Sequence, residues 1–367
     1  MSRYDAIVVG AGPAGSTAAY RLARAGARVV LLDRARFPRD KACGGGLTLR
    51  AVRALPFSVE PVVEDVVDRL ELGLGYGRRF TKRSDDPLVL MTQRRRLDAF
   101  LAERAAEAGA DFRDGVKVTA VGPDGRVDAG GERLRADVVV GADGANGVSG
   151  RLAGPVPELG VALEGNVAHE HVDASRYRGR AVVELGVVRG GYAWVFPKRD
   201  HVNVGVGGWS SEGPRLRDRL RELCRAYGID ETRVTALRGH RLPMCGARRR
   251  PVNGRVLLVG DAAGLVDPLS GDGMYEAFVS GRLAAEAVLA GDLGSYAPSF
   301  VKAFAATETL SWRTKVAFDR FPGFAFWLAR TPVSWRVFQT VVRGDRRASE
   351  IKGLTGAPLR VLKALGA

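Results

Sequence analysis

The chain has 367 residues, 46% apolar and 26% charged, with 47 glycines that cluster in short motifs without a period. That length supports a large core and more than one folding unit, and the composition excludes collagen-like and low-complexity chains. The formal charge of +15, mostly arginine, favours anionic partners such as phosphate groups or an anionic lipid surface; with no nucleic-acid motif beside it, nucleic acid ranks last.

In chain order, MSRYDAIVVGAG turns apolar at once and soon meets glycine, unlike a secretory leader. No segment reaches ~18 uninterrupted apolar residues, so no transmembrane helix is expected. Cys43, Cys224 and Cys245 lack metal spacing and at least one is unpaired, which predicts a cytoplasmic protein with free thiols. His169, His171, His201 and His240 form no metal box, and no metal site is expected; His169 and His171 alternate as on one face of a strand.

Residues 4–35 carry the strongest local signal. AIVV reads as a buried parallel strand, STAAYRLARAG as a helix closing at Gly26, and RVVLLD as a second strand. Between them Gly10, Gly12 and Gly15 fit G-x-G-x-x-G: Gly10 for the tight turn, Gly12 for backbone approach to a pyrophosphate, Gly15 for close helix–strand packing. Asp33 falls ~20 residues on, where an acid accepts ribose hydroxyls. Together they predict a dinucleotide site.

Next comes FPRDKACGGGLT (37–48), a cysteine ahead of three glycines. Three consecutive glycines cost backbone entropy unless something approaches the bare chain. QRRRLDAFLAERAAEAG opens a helix, with Arg94 three and four positions before Leu97 and Asp98; Arg95 or Arg96 could fill the place of Arg94. RADVVVGADGANGVSGRLAG holds Asp137 and Gly141 to Gly144. GGYAWVFPKRDHVNVGVGG reads as two strands meeting at a turn; Tyr192, Trp194 and Phe196 share a face, and Pro197 ends the run. By themselves those aromatics fit a sheet face packed on the core as well as a cavity wall. EGPRLRDRLRELCRAYGI reads as a helix with Cys224 on its apolar side. In GRVLLVGDAAGLVDPLSGDGMYEAFVSG, a buried strand ends at Gly260 and Asp261, and DPLSGDG precedes a long helix. From 296 the pattern is helical, and ten of 27 aromatics lie between Phe300 and Phe338. A lid over an apolar cavity, an amphipathic membrane-surface segment and ordinary helix packing all suit it.

The 254–289 segment resembles the second fingerprint of FAD enzymes of the p-hydroxybenzoate hydroxylase type, and 135–154 and the Arg94 helix resemble further fingerprints in family order. PxxKxCGGG at Pro38–Gly46 and YxWxFP at Tyr192–Pro197 are similar to motifs of the geranylgeranyl reductase family within that group. The resemblance implies an α/β fold: a Rossmann-type FAD-binding domain (1–72, 92–157, 245–295), an inserted, mostly antiparallel substrate-binding sheet (73–91, 158–244) and a helical region (296–367). It implies FAD contacts from Gly10, Gly12, Ala14, Gly15, Asp33, Arg34, Cys43, Gly44, Gly45, Arg94, Val118, Asp143, Gly144, Gly260, Asp261, Pro268, Gly271, Asp272, Gly273 and Met274. Tyr192, Trp194, Phe196 and Pro197 would line the substrate pocket, with Cys43, Tyr192 and Trp194 nearest the chemistry. Cys43 would orient the ring, help a proton arrive, or simply pack.

The implied activity is reduction of carbon–carbon double bonds in an isoprenoid by hydride from reduced flavin, with NAD(P)H or another donor as reductant. The substrate would be hydrophobic, with or without a phosphate, and the enzyme cytoplasmic, with an anionic membrane surface as a further partner. Two alternatives stay open: a monooxygenase or halogenase, and a non-catalytic electron-carrying flavoprotein.

Overall fold

The structure, a computed structural model, describes residues 3–154, 158–244, 249–345, 347–351 and 356–366. Cys245 and the expected boundaries at 157 and 245 lie outside them. The helices are α1 (Pro13–Arg24), α2 (Leu49–Val52), α3 (Arg94–Glu107), α4 (Leu216–Ala226), α5 (Met274–Leu289), α6 (Tyr296–Arg320), α7 (Pro322–Ala329), α8 (Pro332–Arg343) and α9 (Ala357–Leu365).

Strands Val256–Leu258, Glu132–Gly141, Arg3–Val9, Val29–Leu32 and Asp111–Arg113 pair in that order, all parallel. Their central residues Ile7, Val8, Val30, Val139 and Val140 are wholly buried, as expected of parallel strands covered on both faces. Gly10 ends the first strand at φ +102°, a conformation that L-residues avoid, and an added Cβ would sit 2.4 Å from the Ala142 carbonyl. The dinucleotide-type fold expected from the glycine motif is present.

A second, seven-stranded sheet runs Thr235–Met244, Glu158–Ala168, His201–Trp209, Tyr192–Pro197, Arg180–Leu185, Arg69–Leu74, Arg78–Arg83. Every pairing is antiparallel except that of Arg180–Leu185 with Arg69–Leu74. Period-two alternation divides its faces. Ala193, Val195, Val202, Val204 and Val206 pack with Leu216, Leu220, Leu223 and Cys224 of α4. Burial pushes the Cys224 thiol up to about 11, so it is the inert structural group expected. Tyr192, Trp194, Phe196, Asn203, Gly205 and Gly207 take the other face.

His169 and His171 depart from expectation. The strand ends at Ala168, and both lie in a short 3-10 turn, His169–His171. Alternation over three residues cannot reveal that the chain has already left the sheet.

The C-terminal part is helical, as expected. Tyr296, Phe300 and Phe304 bury the start of α6 in the core of the parallel sheet, and the Tyr296 hydroxyl donates to the Leu258 carbonyl at 2.7 Å. Farther along, Asp319 accepts from the Gly190 N–H at 2.7 Å and from Trp209 Nε1 at 3.2 Å. At ~1.5 Å per residue, α6 can bridge both sheets.

Candidate active site

One continuous cavity of about 1480 Å³ starts at the first glycine turn, passes the Cys43 loop and the aromatic face, and ends between the seven-stranded sheet and α6 to α9. Its wall includes every expected cofactor contact except Gly15 and Pro268. Gly15 sits behind the turn, where an added Cβ would meet the Gly10 carbonyl at 1.9 Å. Tyr192, Trp194 and Phe196 line the cavity and Pro197 does not, since the next residue along a strand takes the opposite face.

At the first end, α1 begins at Gly12 with no side chain capping its free N–H groups. A Cβ on Gly12 would meet only Arg39 Nη2, at 3.8 Å, so bare backbone faces the cavity. An uncapped helix start of this kind suits a pyrophosphate. Asp33 is buried at the tip of the second strand; its Oδ2 accepts from the Ala11 N–H and its Oδ1 from the Ala35 N–H, each at 2.9 Å. Beside it Asp98 receives Arg39 Nη2 at 2.9 Å and two Arg94 donors at 2.7 Å. Burial alone would lower the Arg94 pKa, but the Asp98 carboxylate outweighs it and holds the guanidinium charged. Arg94 is the buried member of its run, whereas Arg95 is exposed and Arg96 pairs with Glu64. Helical phase, which puts i and i+4 on one face, selects it.

Mid-cavity, Asp261 meets Lys41 Nζ at 3.1 Å and His240 Nε2 at 3.5 Å. Burial would raise its pKa, but the Lys41 charge and the His240 contact hold the carboxyl well below the usual range. Within DPLSGDG, Asp267 Oδ1 accepts from the Ser270 N–H and hydroxyl at 2.8 and 2.7 Å, and Asp272 Oδ1 from the Met274 N–H at 2.8 Å. The Tyr192 hydroxyl donates to the Ser270 carbonyl, tethering the sheet to this loop.

The CGGG loop lies opposite. Gly45 takes φ +72°, its N–H donates to Cys43 Sγ at 3.3 Å, and a Cβ there would sit 2.0 Å from the Thr92 carbonyl. A Cβ on Gly44 would come within 2.9 Å of the Phe196 ring, so the aromatics press directly on bare backbone. Behind the loop Lys198 Nζ donates to the carbonyls of Gly44 at 2.6 Å and Thr92 at 2.9 Å. Burial pushes the Lys198 pKa down to about 8.

Trp194 Nε1 donates to Asn203 Oδ1 at 2.8 Å, and Asn203 Nδ2 donates to Glu164 Oε2. Burial raises the Glu164 pKa, against the opposing pull of Asn203 and the Cys43 N–H. Glu164 lines the cavity. Arg39, Lys198, Glu164 and Asn203 had no sequence motif to announce them. The alternation N-x-G-x-G at 203–207, opposite Y-x-W-x-F, was the available signal. Arg249 is buried and donates to the carbonyls of Ala262, Gly150 and Gly154 at 3.0, 2.7 and 2.5 Å.

A glycine-lined helix start, an acid at the second strand tip and a second acid mid-cavity thus lie along one channel, and they fit FAD. The family model described as "FAD binding domain" matches residues 3–279. The chain is 35% identical over 323 residues to digeranylgeranylglycerophospholipid reductase 1 of Methanopyrus kandleri, covering 82% of this chain and 84% of that one. It is 36% identical over 331 residues to menaquinone reductase of Mycolicibacterium smegmatis, covering 82% and 80%. The chain belongs to the geranylgeranyl reductase family of FAD-dependent oxidoreductases.

The flavoprotein also shares its fold with a geranylgeranyl bacteriochlorophyll reductase-like protein of Thermoplasma acidophilum, at TM-score 0.73 and 23% identity over 100% of this chain and 96% of that one. A flavin-dependent brominase is similar at TM-score 0.77 and 19% identity, with 98% of each chain covered. At those identities the likeness concerns the fold alone. No helix of the described residues is long and apolar enough to cross a membrane.

Proposed function

We propose that the flavoprotein saturates carbon–carbon double bonds of a long isoprenoid-bearing molecule, its reducing equivalents coming from NAD(P)H or another donor. One observation carries this: the cofactor channel opens past Cys43 and Trp194 into an apolar extension walled by Leu72, Leu185, Phe318, Leu328 and Phe338. Such a wall suits a flexible hydrocarbon and excludes water. The relatives named as digeranylgeranylglycerophospholipid and menaquinone reductases point the same way.

FAD in its reduced form would supply the hydride. Gly44 and Gly45 present bare backbone at close range, and Tyr192, Trp194 and Phe196 form the cavity wall beside them, along which the alkene would be held. An isolated alkene has no carbonyl to polarise, so protonation of one carbon would run ahead of hydride transfer to the other, and the faces of Tyr192, Trp194 and Phe196 would stabilise the positive charge that develops on carbon in between. The second carbon needs a proton. Glu164, whose pKa burial raises, is the carboxyl that would deliver it, and Asn203 donates to its Oε2 and fixes its position. The Cys43 thiol lies beside the same wall and packs against the loop through the Gly45 N–H.

The test is anaerobic. Protein with its flavin reduced is mixed with geranylgeranyl diphosphate or a geranylgeranyl lipid. Flavin reoxidation with loss of alkene and gain of hydrogen in the product is the expected result. Reoxidation only after oxygen is admitted, with an oxygenated or halogenated product, would overturn it in favour of a monooxygenase or halogenase.

A further inference from the structure

Helix α7 has two unlike faces. Ala325 and Phe326 are buried inward, and Pro322, Ala325, Leu328 and Ala329 form part of the cavity wall. Outward, Phe324 is 39% and Trp327 58% exposed, their ring centroids 5.8 Å apart; Phe321, just before the helix, is 38% exposed and Val333, just after, 40%. Single exposed apolar residues need no explanation. Here, though, all three exposed aromatics among the described large hydrophobics fall on one helix and its first flank.

Cations lie beside the patch, with the Arg320 guanidinium 5.4 Å over the Phe321 ring. Arg320, Arg330 and Arg336 are exposed on the helices. The edge strand Arg78–Arg83 packs alongside, with Phe80 against Phe326 at 5.1 Å and the Arg330 guanidinium 6.0 Å above Phe80. Arg78 and Lys82 share the Phe80 face of that strand. Among the described residues none of these five cations is ion-paired with a carboxylate, although many other arginines of this chain are. Unpaired basic side chains beside exposed tryptophan and phenylalanine match the headgroup boundary of an anionic bilayer, which takes the rings at acyl depth and the cations at its phosphates.

We propose that this surface (Phe324 and Trp327 on α7 with Phe321 just before it, flanked by Arg78, Lys82 and Arg330) docks the protein on an anionic lipid bilayer. Docking stands on the surface alone. Delivery of substrate from the bilayer through the wall that α7 shares with the cavity rests in addition on the reductase reading.

The test is co-sedimentation of the FAD-loaded protein with vesicles of phosphatidylcholine alone, and of phosphatidylcholine with phosphatidylglycerol. The expected result is binding to the anionic vesicles only, weakened by salt. Phe324→Ser/Trp327→Ser and Arg78→Glu/Lys82→Glu should each lower partitioning on the order of tenfold, with flavin absorbance and Tm retained. If either pair misfolds, quenching of wild-type tryptophan fluorescence by brominated lipid, lost in Trp327→Phe, decides instead. The proposal is overturned if anionic vesicles do not bind, or if the folded variants bind like wild type. It is likewise overturned if light scattering shows a dimer that Phe324→Ser/Trp327→Ser converts to monomer, which would assign the patch to self-association. Turnover of geranylgeranyl diphosphate is followed in parallel; its absence would sink the reductase reading and leave the docking result standing.

Discussion

Glu164 and Lys198 stand close to the Cys43–Gly45 loop, both buried, and burial moves both toward neutrality from opposite directions. For Glu164 this has a testable sign. Its folded pKa is raised above 4.5, so the protonated form persists to higher pH than for a free carboxyl. The stability it contributes is present below its unfolded value and is lost as pH rises through the folded one. The alkene-reducing step should follow the same limb, falling as pH rises past that point. In Glu164→Gln the step should slow by about 10²–10⁴-fold and the limb should vanish, while flavin content is unchanged. Rapid-mixing measurements across pH check this, and superimposable profiles would remove Glu164 from the proton path.

At the scale of elements, the paired strands Tyr192–Pro197 and His201–Trp209 decide the shape of the site. Register puts Trp194 opposite Gly205 and Tyr192 opposite Gly207. A Cβ on Gly205 would lie 2.1 Å from the Trp194 ring, so Gly205→Ala must displace the indole. Loss of about 1–3 kcal/mol of stability is expected from such overpacking, with altered near-ultraviolet dichroism. Urea unfolding together with that spectrum checks it. The aromatic alternation was legible in the sequence because period two is a local property. Why the aromatics face a cavity was not, because Glu164 reaches that face only through pairing of the distant strand Glu158–Ala168 with His201–Trp209, and the helices that close the cavity come from the far end of the chain. The Arg94 helix shows the converse: three adjacent arginines look alike in sequence, and the position of Asp98 one turn later singles out the buried one.

At the scale of the whole molecule, the parallel sheet and its glycine turn were readable because one contiguous segment carries strand, turn, helix and acid. The role of the C-terminal helices was not, since lid, surface segment and packing share one composition; α6 to α9 wall the cavity, and α7 also turns aromatics to solvent. The channel is bounded by three parts of the fold at once. Removing FAD should therefore lower the melting temperature of the whole chain. At ligand 100-fold above Kd, linkage gives about 2.7 kcal/mol, a shift on the order of 5 °C. Added FAD should restore the loss. FMN, which lacks the adenosine half that the Gly12 and Asp33 end would hold, should restore little; thermal melts of the stripped protein distinguish the two.

Lys198 has a practical corollary. Its ammonium clamps the carbonyls of Gly44 and Thr92 from behind, and the rings of Phe196 and Trp194 bear on the front of the same peptide. The thiol segment therefore cannot be transplanted by itself into a homologous scaffold, or exchanged for another enzyme's equivalent, and keep its contour. A workable chimera would have to carry the lysine, both aromatics and the strand Val89–Thr92 as one cassette.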